Sequence, residues 1–82
     1  MPKSIHSSEY DGLKRLLRDV RLEKGLTQSE LAARLEVTQS RVSKVEQGER
    51  RLDLVELQEW CSALGISLVS FVRRFQSGIG KN

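Results

Sequence analysis

Hydrogen-bonding side chains are concentrated in one stretch of the sequence, residues 39–47. They are Gln39, Ser40, Ser43, Lys44 and Gln47. At about 100° per residue in a helix, Val42 and Val45 fall on the opposite side. Glutamine can bond an adenine edge through two atoms, lysine can donate to guanine, and serine can serve either base. This stretch therefore offers the chemistry needed to read bases in a DNA groove.

Other kinds of site lack the residues they need. The chain has one cysteine, Cys61, and one histidine, His6, so an internal disulfide, a multi-thiolate metal site and a histidine-pair metal site are excluded. The sequence shows neither a glycine-rich phosphate loop nor a nucleophile paired with a base. We predict that the protein is not an enzyme and uses no metal or cofactor, and we interpret Cys61 as a core thiol.

The composition describes one small domain. A chain of 82 residues with 38% hydrophobic side chains can form a single core. Fourteen Lys and Arg against 11 Asp and Glu leave a formal net charge of +3, which permits a polyanionic partner. The sequence contains neither a long apolar run nor the apolar segment of a signal peptide. We expect a cytoplasmic protein with no membrane partner.

Apolar spacing predicts five short helices. Two stripes follow the i, i+3, i+4, i+7 pattern of an amphipathic helix. They are Leu13, Leu16, Leu17 and Val20 in the first helix, and Leu57, Trp60, Cys61 and Leu64 in the fourth. Gly25 and Gly65 predict where these two helices end. A cluster of apolar residues after Ser67 predicts a fifth helix.

Residues typical of helix N-termini locate the other boundaries. The capping-box pairs are Thr27 with Glu30 and Asp53 with Glu56, and the single caps are Thr38 and Ser67. The prediction is an all-α fold, a compact five-helix bundle. The folded domain is expected at 9–76, between a flexible N-terminal arm at 1–8 and a flexible C-terminal tail at 77–82.

The connection between the second and third helices is very short. Only Glu36, Val37 and the cap Thr38 separate them, which predicts the sharp corner of a helix-turn-helix. The third helix would be about 13 Å long, which suits a DNA major groove about 12 Å wide. Gln28 would begin the second helix, where the helix dipole favours a DNA phosphate.

These segments resemble a known family. Two segments are similar to the Cro and phage-repressor family of XRE-type helix-turn-helix proteins. They are GLTQSELAARL at residues 25–35 and VTQSRVSKVEQG at residues 37–48. The resemblance extends from about Leu13 to Phe75. It implies a lambda-repressor-like fold that binds operator double-stranded DNA as a symmetric dimer. Glu36 departs from the family pattern, which usually has glycine at this turn.

The resemblance also assigns roles to residues of the site. It implies base contacts by Gln39, Ser40 and Lys44, and helical spacing adds Ser43 to their face. The predicted phosphate contacts are Gln28, Thr38, Arg41 and Gln47. The family often pairs an arginine late in the first helix with a glutamate late in the third, which here implies an ion pair between Arg21 and Glu46.

The fifth helix carries more apolar bulk than one stripe can bury. We predict that Ile66, Val69 and Phe71 form a homodimer interface that places two recognition helices about 34 Å apart. The alternative is that these residues complete the core of the monomer.

The predicted function is a sequence-specific DNA-binding transcriptional regulator, a repressor or an autoregulator, acting as a homodimer. The alternative is an antitoxin-type interaction module that neutralises a toxin partner and autoregulates its operon.

Overall fold

Five α-helices follow one another in the computed structural model, which describes residues 8–80. The helices are α1 Ser8–Glu23, α2 Gln28–Leu35, α3 Gln39–Gln47, α4 Leu54–Leu64 and α5 Leu68–Gly80. Within this described range the secondary structure is helical, with no strand. The predicted all-α, five-helix fold is confirmed. Residues 1–7 of the predicted arm and residues 81–82 of the predicted tail lie outside the described residues.

The predicted caps are present at the helix starts. Thr27 and Glu30 form both bonds of a capping box on α2, and Asp53 and Glu56 do the same on α4. The Thr38 hydroxyl accepts from the backbone N–H of Arg41 at 3.1 Å at the start of α3. Each cap satisfies a backbone donor that has no partner inside the helix. Because the cap and its donor are only a few residues apart, these helix boundaries could be predicted from the local sequence.

Both terminal helices are longer than the sequence analysis predicted. Ser8, assigned to the flexible arm, is the first residue of α1. Tyr10 extends the apolar stripe of this helix toward its N-terminus and is buried. At the other end, α5 continues to Gly80 through part of the predicted tail. A single helical glycine costs only about 1 kcal/mol, so it weakens a helix without having to end it.

The core forms where the apolar faces of all five helices meet. Its fully buried side chains include Leu17, Val20, Leu31, Val42, Val45, Cys61, Leu64 and Phe71. Burial raises the pKa of the Cys61 thiol from 9.0 to about 11, because the charged thiolate is disfavoured away from water. The interpretation of Cys61 as a core thiol is confirmed.

The assignment of Phe71 to a dimer interface was wrong. Its side chain is 1% exposed and lies in the core of the single chain. Together with Leu68, Val72 and Phe75, it forms an i, i+3, i+4, i+7 stripe that faces inward. Val69 lies outside this stripe and is 61% exposed. The apolar bulk of α5 therefore serves mainly the monomer core.

No helix within residues 8–80 is long and apolar enough to cross a membrane. The same described residues contain no cluster of three or more His, Cys, Asp or Glu side chains that could hold a metal ion.

Candidate nucleic-acid interface

The corner between α2 and α3 depends on an unusual backbone conformation at Glu36. This residue has φ 59° and ψ 41°, in the left-handed region. Its backbone N–H bonds back to the carbonyls of Ala32 and Ala33, which satisfies the end of α2. A residue with a Cβ pays about 1–2 kcal/mol in this conformation. The turn nevertheless forms without the glycine that is usual in the resembling family.

The corner holds α3 with its valines inward and its polar residues outward. Val42 and Val45 are 0% exposed. The exposed side chains are Thr38, Gln39, Ser40, Arg41, Lys44 and Gln47. Ser43 is half-buried and accepts a hydrogen bond from the Gln47 amide at 3.3 Å. The predicted separation of the two faces is confirmed, and Ser43 is the least accessible of the predicted base-contacting residues.

A buried ion pair fixes α3 to α1. The Arg21 guanidinium donates to Glu46 through Nε at 2.7 Å and through Nη2 at 3.0 Å. Its Nη1 also donates to the Leu26 carbonyl at 2.8 Å. The two side chains are 9% and 5% exposed. The pairing that the family resemblance implied is therefore present, and it turns the Glu46 carboxylate inward, away from the exposed face of α3.

Two glutamines extend this pair to the start of α3. The Gln28 side-chain amide donates through Nε2 to Glu46 at 3.0 Å, and the Gln39 Nε2 donates to the side-chain Oε1 of Gln28 at 3.0 Å. The first residues of α2 and α3 are thereby connected to a buried charge pair. Each amide nitrogen carries two N–H groups, so a donor remains on each after these bonds are made.

Sequence reasoning missed this bridging role of Gln28. The sequence analysis predicted that Gln28 contacts a phosphate, because the residue lies at a helix N-terminus. The available signal was chemical, because a primary amide can accept from one partner while donating to another. That signal becomes informative only when the fold places Gln39 and Glu46 on either side.

The charges around α3 also depend on the fold. Residues 27–50 contain four basic and four acidic side chains, which cancel. In the structure Glu30 is engaged in its capping box and Glu46 in the ion pair. Arg41 and Lys44 are both exposed on α3. The accessible face of this helix is therefore positive, which suits a polyanion.

A second region beside α3 was not predicted. The loop at residues 48–53 packs against the N-terminal half of α1, where the Arg51 guanidinium lies 4.2 Å from the centroid of the Tyr10 ring. Burial raises the Tyr10 pKa, while the Arg51 charge and a backbone hydrogen bond from Leu52 oppose that shift. Lys14 donates to the Gln47 carbonyl at 3.3 Å. These contacts join residues 33 to 42 positions apart, beyond the reach of a local pattern.

Several large apolar side chains are exposed, and one of them, Leu22, lines the same surface depression as Gln28 and Gln39. The larger ones are Leu22, Leu54, Val55 and Val69. Of the three predicted interface residues, Val69 is exposed, Ile66 is half-buried against the core, and Phe71 is enclosed.

Comparison with known proteins agrees with this geometry. The helix-turn-helix family model matches residues 17–71, more than half of the chain. A curated relative, the uncharacterized HTH-type transcriptional regulator y4dJ of Sinorhizobium fredii, is 43% identical over 53 residues. The match covers 65% of this chain and 69% of the relative.

Solved structures share the same architecture. An XRE-family like protein from Pseudomonas syringae pv. tomato is 41% identical, with a TM-score of 0.81 and coverage of 89% of each chain. The restriction-modification controller protein C.Esp1396I, solved as a tetramer in complex with its natural 35 base-pair operator, is 26% identical. Its TM-score is 0.81, and the match covers 88% of this chain and 95% of that chain.

The chain belongs to the XRE-type helix-turn-helix family. It is a DNA-binding transcriptional regulator.

Proposed function

We propose that this regulator binds operator DNA as a homodimer and represses transcription, including that of its own gene. The observation that carries the proposal is the exposed polar face of α3. Two fully buried valines hold this face outward, and a polar network fixes its first residue to the buried Arg21–Glu46 pair. A rigid, outward-facing helix of this kind can enter a major groove with little loss of side-chain freedom.

Bases are read in this proposal by Gln39, Ser40, Ser43 and Lys44. Gln39 and Ser40 begin α3, the part of a recognition helix that reaches base edges. Lys44 lies one turn further along and can donate to guanine. Ser43 is half-buried. Of the four residues, it therefore requires the closest approach of the DNA.

Phosphates are bound by Gln28, Thr38, Arg41 and Gln47. Gln28 and Thr38 lie at the N-termini of α2 and α3, where backbone N–H groups and the helix dipole favour an anion. Arg41 contributes a full charge on the flank of α3. These contacts position the protein on the duplex and do not select a sequence.

The homodimer is assigned to the region around Ile66 and Val69, without Phe71. The exposed Val69 side chain supports this assignment. Multimeric binding is also supported by the related controller protein, which assembles as a tetramer on its operator. Analytical ultracentrifugation tests the proposal, since a chain that stays monomeric at high micromolar concentration, with and without its DNA site, contradicts it.

Selection of bound duplexes from a random library tests DNA reading and symmetry together. The expected consensus is a palindrome with half-sites about 10 base pairs apart, one helical turn of DNA. A Ser40→Ala, Lys44→Ala variant serves as the matched control, because it retains the buried valines and should lose preference at defined positions. If the wild-type protein enriches no sequence, the proposed function is wrong.

A further inference from the structure

Lys14 of α1 reaches across to the C-terminal end of α3. Its Nζ donates to the main-chain carbonyl of Gln47, the last residue of α3, at 3.3 Å. Asp11, one turn earlier in α1, lies 3.4 Å from the same ammonium. The Lys14 side chain is 31% exposed, so most of its stem is covered by the protein. Lys14 therefore supplies a fixed positive charge at the end of α3.

The C-cap of α3, Gly48, leaves room for this lysine. Gly48 has φ 84°, and its backbone N–H bonds back to the carbonyls of Lys44 and Val45. A Cβ at this position would lie 3.1 Å from both Cδ and Nζ of Lys14, closer than ordinary van der Waals contact. Lys14 thus lies directly across the helix end, where carbonyls without a helical partner and the helix dipole favour a cation.

The turn that Lys14 holds also carries Lys44. The Lys44 carbonyl accepts from the backbone N–H groups of Glu49 and Arg50 at 2.9 and 3.3 Å, in addition to that of Gly48. The Lys44 side chain is exposed on the polar face of the helix. Its backbone position therefore depends on how the end of α3 and the cap are held.

Two different anchors from α1 reach this last turn. Arg21 holds Glu46 through its side chain, whereas Lys14 holds Gln47 through the main chain. A side-chain anchor alone lets the helix pivot, because the torsion angles of both side chains can adjust. A second contact, made to the backbone, restricts that pivot and with it the direction of the outward-facing side chains.

We infer that Lys14 is a positioning residue for base reading, which fixes the last turn of α3 so that Lys44 meets its base pair in a defined direction. The inference rests on the proposed function, in which Lys44 reads a base. Hydrogen bonds weaken steeply as their angle worsens, so a small pivot of the helix end lowers discrimination at that base pair. Gln39, at the other end of α3, is held separately by Gln28.

Competition binding by the full chain, with single-position variants of the selected operator, tests this role. The position read by Lys44 is the one that Lys44→Ala affects. Lys14→Met keeps an unbranched stem over Gly48 but removes the charge and the N–H donors. It should lower discrimination at that position by roughly threefold, the effect of one cation at a helix C-terminus, and leave the positions read by Gln39 and Ser40 unchanged.

Lys14→Arg is the conservative variant. It restores a charge and N–H donors near the Gln47 carbonyl, so it should recover most of the discrimination that Lys14→Met loses. Unchanged discrimination in Lys14→Met, or an equal loss at every operator position, would overturn the inference.

The salt dependence of binding separates positioning from a direct phosphate contact by Lys14. A direct contact would reduce the slope of log affinity against log salt by about 0.9 per protomer in Lys14→Met. The matched control is Arg15→Met, which removes an exposed cation from the groove between α1 and α5. A positioning role predicts equal slopes in the two variants, and a fall confined to Lys14→Met contradicts it.

A double-mutant cycle tests whether Lys14 acts through Lys44. In the Lys44→Ala background, Lys14→Met should cause no further change in the ranking of operators, because the residue that it positions is absent. Additive changes in the ranking would show that Lys14 acts by another route and would rule out the positioning role.

Hydrogen exchange keeps the inference testable if Lys14→Met is less stable than the wild-type protein. Exchange of the Gly48 and Glu49 amides should rise several-fold relative to amides of α2 and α5, because the bonds of the cap lie under the lysine. An equal rise in all helices would mean that Lys14 supports only the fold as a whole. If the wild-type protein selects no site, the proposed function fails. If it selects one and Lys14→Met discriminates normally, only this inference fails.

Discussion

Two arginine–glutamate pairs connect α1 to other helices, and they differ chiefly in burial. Arg21 joins Glu46 of α3 with side chains 9% and 5% exposed, whereas Arg74 of α5 joins Glu23 with side chains 42% and 51% exposed. Both pairs have two short contacts, between 2.7 and 3.0 Å. Geometry alone therefore does not distinguish them.

The surroundings of the two pairs give them different consequences. The buried pair also bonds the Leu26 carbonyl and the Gln28 amide, and through Gln28 it reaches Gln39 on the recognition helix. The exposed pair is surrounded by water and ions that screen its attraction. The same two residue types, both anchored in the last turn of α1, thus organise the polar face of α3 in one pair and connect α1 weakly to α5 in the other.

The largest expected effect comes from breaking the buried pair. Arg21→Ala should lower the free energy of unfolding by about 3–5 kcal/mol, because it leaves the Glu46 carboxylate buried without its partner. Chemical denaturation followed by circular dichroism measures the change. The double variant Arg21→Met, Glu46→Leu should recover much of the loss, since no buried charge remains. Native stability in Arg21→Ala would show that the pair does not hold α3.

An intermediate effect is expected at Lys44, which lies on the same helix as Glu46 but faces outward. Lys44→Ala should change discrimination at one base position by about 1–3 kcal/mol while leaving stability near that of the wild-type protein. Competition binding with single-position operator variants measures the discrimination. If the ranking of operators is unchanged, Lys44 is not a base-reading residue.

The smallest effect is expected at the exposed pair. Arg74→Ala should lower the melting temperature only slightly at low salt, and the difference from wild type should shrink as salt is added. Thermal unfolding at two salt concentrations measures this. A loss as large as that of Arg21→Ala would break the distinction between buried and exposed pairs.

The pH dependence of the exposed pair has a defined sign. The hydrogen bond from Arg74 lowers the Glu23 pKa below its usual value of 4.5, although burial opposes this. The unfolded chain therefore takes up the proton first. The contribution of Glu23 is present above pH 4.5 and is lost as pH falls through the folded-state pKa. Wild type and Arg74→Ala should accordingly converge in stability on acidification, and a constant difference at every pH would contradict this account.

Features encoded by nearby residues were predictable from the sequence. The capping box joins Thr27 and Glu30, which are three positions apart, and the inward placement of Val42 and Val45 follows from the pitch of one helix. The link between Arg21 and Glu46 was inferred from the family resemblance, since 25 positions separate the residues and helical spacing does not relate them.

Errors arose where a helix had to be oriented against the rest of the molecule. Phe71 was assigned to an interface because the fifth helix carries excess apolar residues, yet it fills the core and leaves Val69 exposed. Burial depends on which neighbours cover a side chain, and hydrophobicity alone does not determine that.

The sequence by itself determined five helices, their caps, and a polar face opposite the valines of α3, because these features depend on backbone hydrogen bonds and helical pitch within a few residues. Only the tertiary structure decided that Gln28 bridges Glu46 and Gln39 and that Arg51 lies against Tyr10. Such contacts form between side chains that are distant in the chain, so they exist only after packing has brought their helices together.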